Sequence, residues 1–439
     1  MERLPGFRDF YPEPLPHKDV WSADVRRYVF DTWRSVMLRY GFREYDGPPL
    51  EPLELYTLKS GEEIVGQLYN FADKGDRNVA MRPEMTPTLA RMVAAHERNY
   101  HKPIKWFAIP QLFRYERQQK GRLREHFQLN ADLFGETSPS ADAEIIALVC
   151  DVLRAFGLTA EDFVIRLSSR KAWADFFSSR CSDYSKAYDF YQIVDKLERE
   201  DPTVSGQKLS ALGFSLEEVQ SFIASGEPTA ELKSILDNLA ARGLADFVKV
   251  DYGVIRGLAY YTGVVFEAFD RKGKFRAIAG GGRYDNLVSL ITGGKLNPET
   301  NTMVNGKVNM PSLGFGMGDV VLTELLKERG LLPKFAPTAD LCVLIEDETL
   351  RTESLGLIQQ LRDAGYSTEY SLVPLKAEKQ FKWARELNVT WICRLEGQEM
   401  KNPVYVVKTL ATRQEARFAS VEEVLNFLKN EKNKGCQNE

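Results

Sequence analysis

The chain has 439 residues, a formal net charge of -4, 44% hydrophobic and 27% charged residues, the make-up of an ordinary globular protein of two or three domains. That balance excludes fibrous and disordered classes and carries no global signature of nucleic-acid binding, so any such contact must come from a local basic patch. Five scattered cysteines, Cys150, Cys181, Cys342, Cys393 and Cys436, lack CxxC spacing, which argues against a disulfide framework or a zinc site and fits a reducing compartment.

The N-terminus, MERLPGFRDFYPEP, has no apolar signal-peptide core, and no apolar run approaches the roughly 18 residues of a membrane helix. A cytoplasmic protein without a membrane partner is therefore expected. His17 to Tyr40 has helical periodicity, and GFREYDGPPLEPLELY predicts a turn and a strand ending at Pro48. Gly61 to Glu84 predicts a short helix and a hairpin, YNFADKGDRNVAMRPE, with a helix starting near Thr86.

The most informative stretch is FRYERQQKGRLREHFQLNADLFG, Phe113 to Gly135. Read with a period of two, one face carries Arg124, His126, Gln128, Asn130 and Asp132, and the other Leu123, Glu125, Phe127, Leu129, Ala131 and Leu133. The aromatic-rich segment before it and the Gly in QQKGR predict an antiparallel hairpin with a basic tip. Charge on a strand face or a loop tip can serve solvation alone. A row of mixed polar residues opposite a buried face suits a site lining better.

A helix is expected from about Ser140 to Phe156, then mostly helical sequence from Lys171 to Asp246 with breaks at DPTVSG and SGEPTA. Strands return at DYGVIRGLAYYTGVVFEAFD and KFRAIAGGGRYDNL, and the polar stretch Leu296 to Met310 predicts a mobile loop. Prolines in GLLPKFAPTAD, Gly330 to Asp340, mark a boundary. Beyond it LCVLIE, STEYSLV, TWICRLE and VYVVKTL alternate with helical segments as a compact α/β domain. GFGMGD, Gly314 to Asp319, lacks GxGxxG spacing and nothing matches GxxxxGK[ST], so neither nucleotide fold of that kind is supported. No metal ligand set is visible.

Together the hairpin, RPEMT, RGLAYYTG and GGGRYD resemble, in order and spacing, the histidyl-tRNA synthetases, a family of class II aminoacyl-tRNA synthetases. The resemblance implies an α+β fold: an antiparallel sheet flanked by helices with a helical insertion, plus a C-terminal α/β anticodon-binding domain. The implied boundaries are a catalytic domain over 1–170 and 247–332, the insertion over 171–246, the anticodon domain over 333–430 and a disordered tail over 431–439. The family joins histidine to ATP as an adenylate, with Mg²⁺, and passes the acyl group to the end of its tRNA. Such chemistry needs charge neutralisation and alignment more than a protein nucleophile, which accounts for the arginines.

Carried over by position, the resemblance implies Arg114, Glu116, Arg122 and Arg256 at ATP, with Arg114 and Arg256 catalytic at the α-phosphate. It implies Glu84, Thr86 and Gln128 around the amino-acid backbone, Asp132 and Tyr261 on the imidazole nitrogens, and Tyr260 walling that pocket. Arg117 and Gln119 would meet tRNA near its acceptor end. Lys376, Lys379, Lys382 and Arg385 suit phosphates of the tRNA, and a solvated helix face accounts for them equally well. The family is homodimeric, and the segment ending at Pro48 is the expected dimerisation element.

Two departures stand out. Val320 and Val321 occupy the places where the family carries a glutamate and an adenine-stacking arginine, and Ala259 replaces the aspartate of RGLDYY. They leave open an alternative: a non-catalytic histidine-binding paralogue acting as a regulatory subunit of ATP phosphoribosyltransferase, a kind of protein that typically lacks the C-terminal domain.

Overall fold

In the computed structural model the chain forms two units, Met1–Pro333 and Lys334–Glu439. The structure describes residues 2–60, 62–115, 123–183, 186–197, 200–255, 261–296, 303–335, 339–397 and 404–435. Among them, no helix is long and apolar enough to cross a membrane.

The first unit is built on the ten-residue strand Glu125–Phe134. Alternate residues of a strand face opposite ways, and from Leu129 onward both faces are buried, so this strand is central rather than an edge. It pairs antiparallel with Ile104–Ala108 and Gln111–Phe113 on one side and with Ser312–Gly318 on the other. The sheet continues through Ala279–Arg283, Val264–Asp270 and Phe163–Ser169, all antiparallel. Only its margins are parallel, where Val248–Val250 joins Phe163–Ser169 and Arg43–Glu44 joins Ile104–Ala108.

The helix expected over 17–40 runs Ala23–Arg39, because the Ser22 hydroxyl accepts the Val25 N–H and sets its start. Its buried Val25, Val29, Trp33, Val36 and Met37 follow the helical repeat. A helix over Pro139–Arg154 covers the sheet, and the hairpin after Gly61 is Asn70–Ala72 with Asn78–Met81.

Among the described residues, five helices occupy the stretch between Arg170 and Ala241. The expected break at DPTVSG is instead a helix start: Asp201 caps the Thr203 N–H and Pro202, which has no N–H to leave unsatisfied, begins Pro202–Ala211. SGEPTA does break the chain, with Gly226 at φ 58° ending one helix and Thr229 capping the next. The helices share an aromatic core of Trp173, Phe177, Phe190 and Phe214, and Phe222 reaches Tyr252 at 4.7 Å between ring centroids. That contact overturns part of the strand expectation. Asp251 to Ile255 is not a strand, and the next strand among the described residues is Val264–Asp270. Residues 303–304 of the expected loop pair with Lys295–Leu296 as a short ribbon.

The second unit has a five-stranded sheet in the order Thr368–Tyr370, Leu341–Leu344, Trp391–Glu396, Val404–Thr409 and Glu415–Phe418. The first three are parallel and the last two antiparallel. Leu341 and Val343 pack into one core, and Cys342 and Leu344 into the other, as a strand covered on both faces requires. Burial pushes the Cys342 and Cys393 thiols up to about 12, so both are inert apolar fillers. The strand Glu415–Phe418 was not anticipated.

Candidate functional site

A cleft of about 700 Å³ opens on one face of the large sheet. Its near wall is the polar face expected from the period of two: His126, Gln128, Asn130 and Asp132 all line it. Asn130 and Asp132 are 4% and 1% exposed, so they are not a solvated surface. Glu125, the lone charge on the opposite face, is buried too. Arg8 donates to it at 2.8 Å and to Asp319 at 2.8 Å, and Asp319 also accepts the Phe127 N–H. Burial would depress the Arg8 guanidinium, but Asp319 and Glu125 beside it hold it above its ordinary value. This network ties the N-terminal segment to both the hairpin and the helix Asp319–Arg329.

The floor is made of glycine. Gly314, Gly316 and Gly318 stand opposite Asp132, Asn130 and Gln128, and Gly282 and Gly280 stand opposite Gly314 and Gly316. A Cβ on Gly316 would lie 2.7 Å from the Gln128 side chain, and one on Gly282 would lie 2.9 Å from the Tyr261 ring. Only glycine keeps the trough open between its walls. Across the floor, Glu267 stands opposite Gly280, and Arg166 opposite Glu267, both lining the cleft.

One end of the trough is a polar pocket with an apolar backing. The Tyr284 hydroxyl donates to Asp132, and Tyr261, Val254, Val265, Tyr284 and Leu287 pack together behind it. Above the floor, Glu84 and Thr86 line the cleft, Thr86 at the start of the helix Thr86–His96. The Arg114 Nε donates to the Pro83 carbonyl at 3.0 Å, which holds that guanidinium beside the RPEMT segment.

Of the residues singled out from sequence, Glu84, Thr86, Arg114, Gln128, Asp132 and Tyr261 therefore come together in one cleft. Glu116, Arg117, Gln119, Arg122, Arg256 and Tyr260, and also Ala259, lie outside the described residues. Val320 and Val321 line the cleft at its other end. Sequence reasoning missed Tyr284 and Glu267 as lining residues, and gave Asn130 a place in the polar row without a role. Asn130 Oδ1 is buried without a hydrogen-bond partner among the described residues, an acceptor left for a ligand or water. Its place in the polar row was the available signal. Among the described residues, no group of three or more His, Cys, Asp or Glu could hold a metal ion.

Comparison with known proteins agrees with this architecture. The family model described as histidyl-tRNA synthetase matches residues 18–298, and that of an anticodon binding domain matches residues 340–431. The chain is 42% identical to the histidine–tRNA ligase of Opitutus terrae over 94% of this chain and 95% of that one. It is 38% identical to that of Leptospira biflexa over 99% and 98% of the two chains. The chloroplastic/mitochondrial histidine–tRNA ligase of Arabidopsis thaliana is 35% identical over 93% of this chain and 82% of that one. Among solved structures, the histidyl-tRNA synthetase from Nostoc sp. PCC 7120 superposes with a TM-score of 0.74 at 23% identity, covering 96% and 97% of the chains. The apo S. aureus histidyl-tRNA synthetase gives 0.70 at 22% identity, covering 98% and 100%. At such identities these two structures speak to the fold.

Proposed function

The chain belongs to the histidyl-tRNA synthetase family, and on that premise we propose that it activates histidine with ATP and transfers it to the 3′ end of histidine tRNA. The observation that carries this reading is the pairing of a polar pocket at Asp132 and Tyr261 with a glycine-floored trough leading away from it. Histidine is a side chain with two ring nitrogens to satisfy. Asp132 and Tyr261 would take one nitrogen each, and an apolar amino acid would leave these buried groups unpaired, which discriminates strongly. Glu84 would pair with the α-ammonium, with Thr86 and Gln128 as hydrogen-bond partners, and Tyr260 would wall the pocket.

In the first step a carboxylate oxygen of histidine attacks the α-phosphorus of ATP, the bond to the bridging oxygen breaks, and pyrophosphate leaves. No protein nucleophile is needed. Arg114 and Arg256 would flank the α-phosphate and neutralise charge as it develops, with Glu116 nearby and Arg122 at the terminal phosphate. The fixed fork of a guanidinium suits this task better than a lysine ammonium. Mg²⁺ would ride on the phosphates of ATP, an arrangement that asks for only one or two protein carboxylates, and Glu267 offers one on the trough floor.

Arg117 and Gln119 would meet the acceptor end of the tRNA. The exposed Lys376, Lys379, Lys382 and Arg385 present charge from the second unit. Gln380 anchors that helix by accepting the Ile345 N–H at 2.9 Å and donating to the Ile345 and Leu375 carbonyls. A homodimer fits the exposed apolar side chains Leu50 and Phe71 on the small sheet around Leu50–Pro52 and Leu58 on the helix that follows. The match of residues 340–431 to an anticodon-binding domain favours the ligase over the regulatory paralogue.

The deciding experiment is histidine-dependent exchange of pyrophosphate into ATP by the purified protein, with other amino acids as controls. Exchange with histidine alone is expected. Histidine binding without exchange would transfer the reading to the regulatory paralogue.

A further inference from the structure

We infer that one buried water, held between the Tyr45 hydroxyl and the Asn130 amide oxygen, braces the Asp132 carboxylate from the side opposite Tyr284, which makes Tyr45 and Asn130 positioning residues for the amino-acid pocket. The inference rests on the reading that this pocket takes histidine.

Asp132 lies mid-sheet, and an aromatic hydroxyl approaches it from each direction. On one side the next strand is Ser312–Gly318 and beyond it Ala279–Arg283, which Tyr284 follows. Tyr284 donates to Asp132 Oδ1, and a Cβ on Gly314, the residue opposite Asp132, would collide with that oxygen. On the other side the next strand is Ile104–Ala108 and beyond it Arg43–Glu44, which Tyr45 follows. The Tyr45 N–H donates to the Phe107 carbonyl at 2.9 Å, and its ring meets that of Trp106 at 5.8 Å between centroids. Tyr45 and Trp106 both pack against the cluster that holds Tyr261 and Tyr284. Trp106 stands opposite Asp132 in its strand pairing, so these contacts set Tyr45 on the pocket face beside the carboxylate.

The Tyr45 hydroxyl and Asn130 Oδ1 are both buried without a hydrogen-bond partner among the described residues. A buried polar atom left unpaired costs about 1–3 kcal/mol, so a donor and an acceptor on one face call for a shared partner. Ala108 stands opposite Asn130 and offers only a methyl group, which leaves room between the amide and Tyr45. Burial and the Asp132 charge beside it push the Tyr45 hydroxyl well above its ordinary value, so it stays protonated and donates. The valences of a water fit these groups. It accepts from Tyr45, donates to Asn130 and has a second hydrogen for Asp132, about the three bonds that a buried water ordinarily makes. A carboxylate gripped from both sides keeps one orientation toward an imidazole and loses less freedom when histidine binds.

The test uses the full-length protein. Crystal structures with and without histidine show one water within about 3 Å of both the Tyr45 hydroxyl and Asn130 Oδ1, and the structure of Tyr45→Phe lacks it. In Tyr45→Phe, and likewise in Asn130→Leu, the KM for histidine in pyrophosphate exchange rises roughly fivefold. The KM for ATP and the maximal rate stay near those of the parent, a split that a general loosening of the fold would not give. The double variant loses no more than the worse single one, because both residues act through the same water. No water at that place, an imidazole nitrogen on Asn130 Oδ1 in its stead, equal rises for both substrates, or additive losses each overturn the inference. A parent protein without histidine-dependent exchange overturns the reading of the pocket, and the positioning role with it, while the crystal structure without histidine still decides the bridge.

Discussion

The Tyr284 hydroxyl donates a hydrogen bond to the Asp132 carboxylate across 152 residues of sequence. Tyr284 belongs to GGGRYD and Asp132 to the hairpin strand, so the bond joins two separately recognised motifs at one end of the cleft. Removing the donor alone, in Tyr284→Phe, leaves the ring packing in place. A hydrogen bond to a charged group is worth about 1.5–3 kcal/mol, so the KM for histidine is expected to rise roughly tenfold or more with the KM for ATP unchanged. Steady-state exchange kinetics decide it, and equal effects on both substrates would contradict the assignment.

Asp132→Ala removes the acceptor itself. It should raise the histidine requirement further than Tyr284→Phe does, again with little effect on ATP. In the double variant the loss should not exceed that of Asp132→Ala if Tyr284 acts on histidine through Asp132, the group it hydrogen-bonds. Additive losses in this cycle would mean that Tyr284 touches histidine directly.

With Arg114 and Arg256 flanking the α-phosphate as proposed, their loss should act on the rate of adenylate formation. Arg256→Ala should reduce single-turnover adenylate formation by roughly a hundredfold or more while circular dichroism and thermal melting stay those of the parent protein. Arg114→Lys should also slow the step, since an ammonium cannot reproduce a guanidinium that is tethered to the Pro83 carbonyl through Nε and keeps its two other nitrogens for a phosphate. Near-normal rates in Arg256→Ala would remove that residue from the mechanism.

Arg8 is the shared partner of two buried carboxylates, Glu125 and Asp319, with all three side chains at most 5% exposed. Arg8→Met strands both charges and should cost about 3–5 kcal/mol of stability, read as a lower urea midpoint. Replacing the acids as well, in Arg8→Met with Glu125→Gln and Asp319→Asn, should recover part of that loss. A single variant as stable as the parent would show that the network contributes nothing.

Glu144 is bracketed by Lys105 at 3.0 Å and Arg242 at 2.9 Å. Burial alone would raise its carboxyl, but these two cations hold it below its ordinary value. A folded-state value below the unfolded one means that the unfolded chain binds more protons at intermediate pH. The pair therefore stabilises the fold above the unfolded value near 4.5, and that contribution is lost as pH falls through the lower folded value. Melting temperature measured from pH 6 downward should fall less steeply in Glu144→Gln than in the parent. Parallel curves would exclude Glu144 from the acid sensitivity.

Some of this was legible because it is local. Strand alternation is a property of neighbouring residues, so the polar row from His126 to Asp132 could be read without a fold. The same holds for the start of the helix at Thr86 and for the alternation of strands and helices after Gly330. The misreadings were local too. DPTVSG looks like a break because Pro and Gly punctuate chains, yet Pro is also suited to a first helical turn. Asp251 to Ile255 carries strand-forming residues, but Tyr252 is taken up by Phe222 and by a hydrogen bond from its hydroxyl to the Glu227 carbonyl. EARF, Glu415 to Phe418, is too short and too exposed an edge strand to announce itself.

The sequence by itself determined most of the elements, the polar strand face and the family, because those rest on patterns and motif spacing along the chain. Tertiary structure alone decided that Glu125 is neutralised by Arg8, that Tyr284 reaches Asp132, and that glycines of two neighbouring strands pave one trough. The first two relationships join residues more than a hundred positions apart and the third joins glycines more than thirty apart, and burial, which makes a charge pair or a missing side chain matter, exists only once those residues have been brought together.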